Sequence, residues 1–293
     1  MISRTTMAAM AISAIGHHCG RSRVSSRRAV FMATSVAVRG VAPMPLDGLS
    51  LFFPCRNEAA NLAALVAEAL DALPALASRY EVILVDDGST DDTPGVAARL
   101  VTAHPGVVRL VRHEHGRGYG GALRSGFAAA RMEQIAFTDG DRQFRVADLA
   151  PLAALLASGE GVRPDVVVGY RVDRADPFVR RLYARIYRFA LRLFYNLQLR
   201  DVDCAAKIFR RDALMGIAVE SSGAFFSAEL MIKLRACNAR VVEVGVPHYP
   251  RTAGAATGAR PSVVLRAVRD FWRLRIALWV NKGAGLRRGA PLI

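Results

Sequence analysis

The sequence predicts an α/β protein with a mainly parallel central sheet and helices on both faces. From Leu49 to Gly169 short apolar runs alternate with helical segments. Regular alternation of strand and helix is typical of parallel sheets, because each parallel pair needs a crossover that returns the chain to the same end. Polar residues follow the apolar runs directly, so we expect the loops that carry chemistry to meet at one edge of the sheet.

Five apolar runs are predicted as strands, and the segments between them as helices. The strands are Leu49–Pro54, Glu81–Val85, Val107–Val111, Ile135–Thr138 and Asp165–Gly169. The helices are Glu58–Leu73, Thr90–Ala103, Gly120–Arg131 and Val146–Ala157. A chain of 293 residues is long enough to bury a sizeable core.

The chain is basic, and its basic residues are unevenly placed. It carries 40 Lys and Arg against 25 Asp and Glu, and the excess lies in residues 1–46, 171–200 and 251–288. Basic charge confined to segments indicates anionic partners, either phosphates or a membrane surface, with nucleic acid as the competing interpretation. The four cysteines show no paired spacing, which argues against a zinc site or disulfide framework and favours a reducing cytosol.

The first 48 residues are expected to be a disordered leader. They are rich in Arg and Ser and contain no acid before Asp47. A secretory signal is the alternative, because Arg4 precedes the apolar stretch Met7–Ile15, although the small-residue cleavage pattern is weak. No uninterrupted run of 18 apolar residues occurs in the sequence, so no membrane span is predicted.

The stretch Phe137–Phe144 carries the strongest chemical signal. Asp139 and Asp141, separated by Gly140, follow a predicted buried strand at the edge where open α/β sheets bind ligands. Two carboxylates suit a hard cation with substrate phosphates, and a glycine lets a diphosphate approach the backbone. A solvated Asp-Gly turn is the alternative.

Polar residues also follow the first two predicted strands, as Pro54–Glu58 and Asp86–Thr93. Ser89 or Thr90 is expected to cap the next helix, whose positive end favours the acids. Capping needs one acid and the segment supplies four, so we favour nucleotide recognition by Asp87, supported by Asp86.

The third loop, His113–Gly126, contains five glycines and lets backbone approach a diphosphate or sugar. It matches no dinucleotide or phosphate-loop motif. Its pair His113 and His115 is poor evidence for a metal site, because no Cys or acid pair is nearby.

Two later segments, Val179–Leu197 and Ser262–Val280, are predicted as strongly amphipathic helices. Their apolar residues fall on one side and arginines on the other. The arginines are Arg181, Arg185, Arg188 and Arg192 in the first, and Arg266, Arg269 and Arg273 in the second. Aromatic residues opposite arginines are typical of helices that lie on anionic lipid headgroups. A solvated surface face is the alternative.

Taken together, three ordered motifs resemble family 2 inverting glycosyltransferases, most closely the dolichyl- or polyprenyl-phosphate sugar synthases. The motifs are Pro54-x-x-Asn57-Glu58, Val85 to Thr93, and Asp139-x-Asp141-x-Gln143, and the resemblance runs from about Leu49 to Arg275. It implies a nucleotide-diphospho-sugar transferase (GT-A type) fold with a catalytic domain at residues 49–261 and a basic amphipathic C-terminal helix and tail at 262–293. It also implies transfer of a hexosyl group from a UDP- or GDP-sugar to a polyprenyl phosphate with inversion.

The resemblance assigns the donor side residue by residue. It implies that the nucleotide is held by Pro54, Asn57, Glu58 and Asp87, with Asp86 in support and Arg124 as a further donor contact. It implies that Mg²⁺ or Mn²⁺ on the donor diphosphate is coordinated by Asp139, Asp141 and Gln143.

On the acceptor side the family chemistry needs cations rather than a strong base, because the attacking phosphate oxygen is already anionic. The candidates are Arg171, Arg174, Lys207 and Arg251, and Glu229 is a candidate acid or base unless it is a helix-surface residue. The motif Asp203–Lys207 departs from the family pattern, which normally has an aromatic residue where Ala206 stands.

The segment Pro247–Pro261, which contains Arg251, resembles the family's loop that closes over donor and acceptor. An ordinary surface loop is the alternative.

We therefore expect a cytoplasmic enzyme, peripheral on the inner face of the membrane, with no nucleic-acid partner. The sequence shows no pair of membrane spans after the last helix, so contact with the lipid is expected through the basic helices or a partner. A soluble or glycan acceptor with the same donor chemistry, and a non-catalytic nucleotide-sugar-binding protein, are the alternatives.

Overall fold

The computed structural model describes residues 45–158, 163–172, 178–250, 261–280 and 292–293, with the side chains of 178–181 excepted. The expected leader, up to residue 44, therefore lies outside the described residues. So do Arg174, Arg251, the side chain of Arg181 and the predicted lid between 251 and 260.

The described chain forms one seven-stranded sheet, which confirms the predicted α/β class with a mainly parallel sheet. The strands are β1 (Leu49–Cys55), β2 (Tyr80–Asp87), β3 (Val108–His113), β4 (Gln134–Phe137), β5 (Val166–Arg171), β6 (Lys207–Arg210) and β7 (Val241–Val246). Their spatial order is β3-β2-β1-β4-β6-β5-β7, and β6 alone runs antiparallel to its neighbours. The five predicted strands are present, whereas β6 and β7 were not predicted.

Helices connect most of these strands. They are α1 (Ala59–Leu76), α2 (Thr93–Ala103), α3 (Tyr119–Ala129), α4 (Ala150–Ala157), α5 (Phe178–Tyr195), α6 (Arg211–Leu214), α7 (Phe226–Ala236) and α8 (Pro261–Val280). A 3₁₀ turn, Val146–Leu149, leads into α4, and α2 begins three residues later than predicted. The short α6 and α7 were not predicted.

Stacked phenylalanines join α3 to the centre of the sheet. The rings of Phe52 and Phe137 are stacked with centroids 5.4 Å apart, and Phe127 of α3 meets both edge-on. Gly126 permits this contact, because a Cβ there would lie 2.3 Å from the Phe52 ring. Burial of each such ring contributes about 2–3 kcal/mol to the free energy of unfolding. The packing fixes where α3 begins, at the carboxyl edge of β1 and β4.

Helix α1 is long and apolar enough, by length and composition alone, to cross a membrane, and it is the one such helix in the described chain. In this structure it is a core helix. Its buried residues, among them Leu62, Leu65 and Leu73, belong to the central hydrophobic core, and the helix packs on α2 and the sheet.

The antiparallel strand β6 brings its first residue to the ligand edge of the sheet. Lys207 pairs with Phe137 of β4 and with Val168 of β5. A strand that runs against its neighbours begins where they end. The segment before β6 therefore lies beside the loops that follow the parallel strands.

Candidate active site

The loops after β1 and β2 interlock through Asn57 and Glu58. The backbone N–H of Asn57 donates to Ser89 Oγ at 2.9 Å, and its side-chain oxygen accepts from the Thr90 N–H at 2.8 Å. The backbone N–H of Glu58 donates to Thr93 Oγ1 at 2.9 Å. Asn57 adopts a left-handed conformation (φ 57°), which Asn tolerates better than most residues. Its side chain thus shapes the predicted nucleotide site by joining two loops.

Asp86 and Asp87 are the last residues of β2 rather than loop residues, and both are buried. The carboxylate of Asp87 accepts hydrogen bonds from the N–H groups of Arg117 and Gly118, at 2.7 and 2.9 Å, and from His113. Asp86 Oδ1 accepts from the Ser89 N–H at 3.1 Å. Asp86 Oδ2 has no hydrogen-bond partner among the described residues, and its ion pair with Arg112 Nε spans 3.7 Å. Asp86 therefore keeps an acceptor oxygen, whereas Asp87 is largely occupied in holding the glycine-rich loop.

Asp139 lies two residues beyond β4 and is held by a tyrosine from α3. The hydroxyl of Tyr119 donates to Asp139 Oδ1 at 3.0 Å. The pKa of Asp139 is raised to about 6, by burial first and by the charge of Asp141 second, while Tyr119, Lys207 and Arg171 act in the opposite direction. The ionised carboxylate is therefore poorly compensated by the protein alone. Tyr119 was missed by sequence reasoning, because nothing in the sequence links it to Asp139.

Pro54 lies against the same motif. A Cβ on Gly140 would lie 3.3 Å from the carbonyl oxygen of Pro54, so the loops after β1 and β4 touch through backbone. The predicted donor residues after β1 and the predicted metal residues after β4 are thus neighbours at this edge.

The residues present fit a divalent cation that is completed by substrate. Two adjacent carboxylates, one with a raised pKa, form a centre of negative charge that a cation would offset. Within the described ranges, no group of three or more His, Cys, Asp or Glu residues forms a metal site. Mg²⁺ typically binds one or two carboxylates and takes its other ligands from phosphates and water.

Gln143 is anchored beside this pair. Asp141 Oδ1 accepts from the Gln143 N–H at 3.1 Å, and Gln143 Nε2 donates to the carbonyl of Tyr249 at 3.4 Å. The Tyr249 N–H donates in turn to the Gln143 carbonyl at 3.0 Å. The amide oxygen is then the side-chain atom of Gln143 suited to a metal.

A basic cavity of about 310 Å³ lies between the end of β5 and α5. It is lined by Arg171, Arg185, Arg188 and Arg200, together with Tyr170, Ala184 and Asp201. Arg171 is fixed by a bidentate pair with Asp201, at 2.6 and 2.9 Å, and Arg200 lies over the Tyr170 ring, 4.7 Å from its centroid. A cavity rich in guanidinium groups is suited to an anion such as a phosphate.

Sequence reasoning placed only Arg171 of this group at the acceptor. It assigned Arg185 and Arg188 to a polar helix face and gave Arg200 no role. The available signal for Arg185 and Arg188 is their helical spacing on one face of α5, whereas Arg200 lies beyond the end of that helix.

Lys207 is fully buried at the start of β6. Its ammonium group donates to the Cys204 carbonyl and lies 5.5 Å from the centroid of the Phe137 ring. Burial lowers the pKa of Lys207, and the charge of Asp139 is among the interactions that oppose this. The predicted acceptor lysine therefore acts electrostatically on the Asp139 carboxylate.

Arg124 and Glu229 are committed to the protein interior. Arg124 Nη1 donates to the carbonyls of Val219 and Ser221, at 3.1 and 2.9 Å. Glu229 is 1% exposed, so the alternative of a helix-surface glutamate is wrong. Its carboxylate accepts from the N–H groups of Glu220 and Ser221 and pairs with Lys233 Nζ at 2.7 Å. Both side chains therefore support the loop at residues 219–222, and their contacts with donor and acceptor stay predictions.

The loop at residues 219–222 also contacts the glycine-rich loop His113–Gly126. The Gly120 N–H donates to the Ser222 carbonyl at 3.0 Å. A Cβ at Gly120 would lie 2.4 Å from the Ser221 carbonyl oxygen, so this contact requires glycine.

The end of α5 contacts the middle of α8, and both helices expose apolar side chains. Phe194 meets Phe271 and Trp272 edge-on, with centroids 5.6 and 5.2 Å apart. In the part of the chain that the structure describes, all large exposed apolar residues except Val172 and Met215 belong to these two helices. They are Leu182, Tyr183, Ile186, Phe189, Leu193, Val264, Leu265, Val268, Trp272, Ile276, Trp279 and Val280, and we call them the α5–α8 surface. Exposed apolar residues concentrated on two helices are typical of an interaction site.

Comparison with known proteins gives consistent matches. The profile of Glycosyl transferase family 2 matches residues 50–217. An uncharacterized glycosyltransferase of Mycobacterium tuberculosis is 33% identical over 78% of this chain and 98% of its own length. The dodecaprenyl-phosphate galacturonate synthase of Rhizobium johnstonii is 29% identical over 77% of this chain and 66% of its own.

A solved structure shares the fold. Glucosyl-3-phosphoglycerate synthase from Mycobacterium tuberculosis, crystallised with Mn²⁺, UDP and glucosyl-3-phosphoglycerate, aligns with a TM-score of 0.58 at 22% identity. The alignment covers 80% of each chain. It shows that the sheet and helices described above have the GT-A glycosyltransferase arrangement.

Proposed function

Because the chain belongs to glycosyl transferase family 2, we propose that it transfers a hexosyl group from a UDP- or GDP-sugar to a polyprenyl phosphate with inversion. The observation that carries the proposal is the basic cavity that Arg171 lines, because the charge of Arg171 acts on Asp139. A site for an anionic acceptor thus lies within electrostatic reach of a pair of carboxylates suited to a metal and a donor diphosphate.

On the donor side, the nucleotide would lie against Pro54, Asn57 and Glu58 and the two aspartates that end β2. Asp86 Oδ2 is a buried acceptor without a hydrogen bond in the described residues, and a ligand N–H would satisfy it. Asp139, Asp141 and the Gln143 amide oxygen would hold Mg²⁺ or Mn²⁺. When bound, the cation would offset charge developing on the leaving nucleoside diphosphate.

On the acceptor side, an anionic phosphate oxygen would attack the anomeric carbon from the face opposite the diphosphate. The new carbon–oxygen bond forms as the bond to the diphosphate breaks, and that electron pair leaves with the nucleoside diphosphate. The attacking group carries no proton, so no general base is needed. Arg171, Arg185, Arg188 and Arg200 would bring the two phosphates together, and Arg174 and Arg251 stay candidates.

The α5–α8 surface would bring the lipid to this cavity. Its apolar residues are exposed, while Arg185 and Arg188 of α5 line the cavity. Aromatic and aliphatic residues flanked by arginines match the chemistry of an anionic membrane surface. The protein would then be peripheral on the inner face of the membrane. The similarity to dodecaprenyl-phosphate galacturonate synthase supports this acceptor class.

A small phosphorylated acceptor is the second candidate. Glucosyl-3-phosphoglycerate synthase, which shares the fold, was crystallised with phosphoglyceric acid. The same guanidinium groups would bind the phosphate of such an acid. In that case the α5–α8 surface would have no role in catalysis.

The deciding experiment supplies radiolabelled UDP- and GDP-sugars with Mn²⁺ to the purified protein and either undecaprenyl phosphate in vesicles or 3-phosphoglycerate. We expect label in the organic extract only with the lipid. Label in the aqueous product with phosphoglycerate alone would establish the second candidate. Binding of the donor with neither hydrolysis nor transfer to either acceptor would leave a nucleotide-sugar-binding protein.

A further inference from the structure

We propose that His113 is a positioning residue of the nucleotide site, acting through Asp87 and oriented by Ser125. The inference rests on the proposed function in one respect, that the nucleoside diphosphate binds at the end of β2. It concerns a histidine that the sequence offered only as a poor metal ligand.

Three side chains from three elements form one row of hydrogen bonds. Asp87 ends β2 and His113 ends β3, and the two residues are partners in the parallel ladder. Asp87 Oδ1 lies 2.8 Å from His113 Nδ1, and His113 Nε2 lies 2.8 Å from Ser125 Oγ in α3. Asp87 and His113 are each 3% exposed, so water does not compete for these bonds.

The order of donors in this row follows from chemistry. An ionised carboxylate only accepts hydrogen bonds, so Nδ1 of His113 must carry a proton. In the neutral ring Nε2 is then an acceptor, and the Ser125 hydroxyl donates to it. Asp87 thus selects the tautomer, and the Ser125 hydroxyl orients the ring through Nε2.

The consequence of the row is a fixed glycine-rich loop. Asp87 accepts hydrogen bonds from the Arg117 and Gly118 N–H groups, directly before α3 begins. A carboxylate at this end of α3 is favoured by the helix dipole. Tyr119, the next residue, donates to Asp139. His113 therefore orients a carboxylate that connects the nucleotide loop to the metal pair.

Two substitutions separate orientation from packing. In His113→Asn the side-chain amide places an N–H near the position of Nδ1, whereas His113→Leu fills the space without a donor. The dissociation constants of UDP and GDP with Mn²⁺ are measured by calorimetry on the full chain. We expect His113→Leu to weaken nucleotide binding about tenfold and His113→Asn to stay within about threefold of the wild type. Equal losses in both variants, or none in His113→Leu, would overturn the proposal.

A double-substitution cycle tests whether His113 acts through Asp87. In an Asp87→Asn background we expect His113→Leu to add less than a twofold loss. A full tenfold further loss there would show an independent role and overturn the inference.

Ser125→Ala gives a readout that does not depend on the proposed function or on His113→Leu folding. Ring ¹⁵N shifts of His113, assigned with His113→Asn, should show the proton on Nδ1 in the wild type and in Ser125→Ala, while the Nε2 shift should move in Ser125→Ala because its hydrogen bond is lost. An unmoved Nε2 shift would show that Ser125 does not orient the ring. A wild-type ring protonated on Nε2 alone would refute the row. If the ring behaves as expected but the wild type binds neither UDP nor GDP, the proposed function fails instead.

Discussion

The hydroxyl of Tyr119 donates a hydrogen bond of 3.0 Å to Oδ1 of Asp139. The two residues meet because α3 begins at the same edge of the sheet at which β4 ends. A hydrogen bond to the ionised form of a buried acid favours that form, so Tyr119 opposes the effects of burial and of Asp141 on the pKa of Asp139.

Tyr119→Phe removes this bond and should raise the pKa of Asp139 above its value of about 6. A hydrogen bond to a charged group is worth roughly 1.5–3 kcal/mol, so we expect the ionised fraction of Asp139, and with it the rate at pH 7, to fall about 2- to 15-fold. The acid limb of the pH–rate profile should move to higher pH. Tyr80→Phe, at the opposite end of the sheet, is the control, and an unmoved acid limb in Tyr119→Phe would contradict the assignment.

Asp139→Asn should abolish transfer and yet stabilise the metal-free fold at pH 7.5. The native pKa of Asp139 is raised from 3.8 to about 6, so its cost to folding grows as pH rises from the unfolded to the native pKa, is complete above the native pKa and is absent below the unfolded one. The shift corresponds to about 1–3 kcal/mol. Urea unfolding in EDTA should show the gain at pH 7.5 and its loss near pH 4. An equal gain at both pH values would rule out the charge as its cause.

Arg185→Ala and Arg188→Ala should each weaken use of the acceptor. Each removes a guanidinium from the basic cavity, and contacts to a charged group are worth about 1.5–3 kcal/mol, so the KM for the phosphate acceptor should rise roughly tenfold or more. The KM for the donor should change little. Arg192→Ala is the matched control, since Arg192 is exposed on α5 and is not among the residues that line this cavity.

The paired substitution Ile186→Glu with Trp279→Glu should release the protein from membranes. Each side chain is more than half exposed on the α5–α8 surface, and burial of each in lipid would contribute about 1.5–3 kcal/mol. We expect cosedimentation with anionic vesicles to fall at least tenfold. Met215→Glu changes an exposed apolar residue elsewhere and should bind as the wild type does. Duplex DNA binding by the wild type with no vesicle binding would favour nucleic acid instead.

Lys233→Met should destabilise the fold by about 3–5 kcal/mol, because it leaves the Glu229 carboxylate buried without its partner. The pKa of Glu229 is lowered; burial opposes the shift, and the charge of Lys233 is the main cause that favours it. In the wild type this contribution is present above the unfolded pKa, near 4.5, and is lost as pH falls through the lowered native pKa. Thermal melts across pH 3–7 should therefore show a flatter acid slope in the variant. Adding Glu229→Gln should recover most of the loss.

The first part of the fold, from β1 to β4, was predictable from the sequence because each strand there is a bounded apolar run. β1 and β2 are almost wholly buried, and polar residues mark where each one ends. The carboxyl ends of parallel strands lie at one edge of the sheet, so Asp87 and Asp139 could be placed at that edge from the sequence alone.

The second half was harder for physical reasons. Nearly every residue of α7 is buried, so its sequence has no polar face to reveal a helical period. β6 spans only four residues, and no local sequence pattern shows that a strand will lie between two others and run antiparallel to both. Arg124 and Glu229 form hydrogen bonds with backbone carbonyls and amides elsewhere in the sequence, and composition does not reveal these partners.

The reversed direction of β6 has a consequence for how the protein can be divided. β4 is buried along its whole length because β6 covers its outer side, and β6 lies some 70 residues later in the chain. A fragment that stopped after α4 would expose β4 as an open apolar strand edge, and such edges pair with other chains. The part of the chain that ends with α4 is therefore not an autonomous module. Shortened versions of this enzyme that end before residue 210 should aggregate on synthesis.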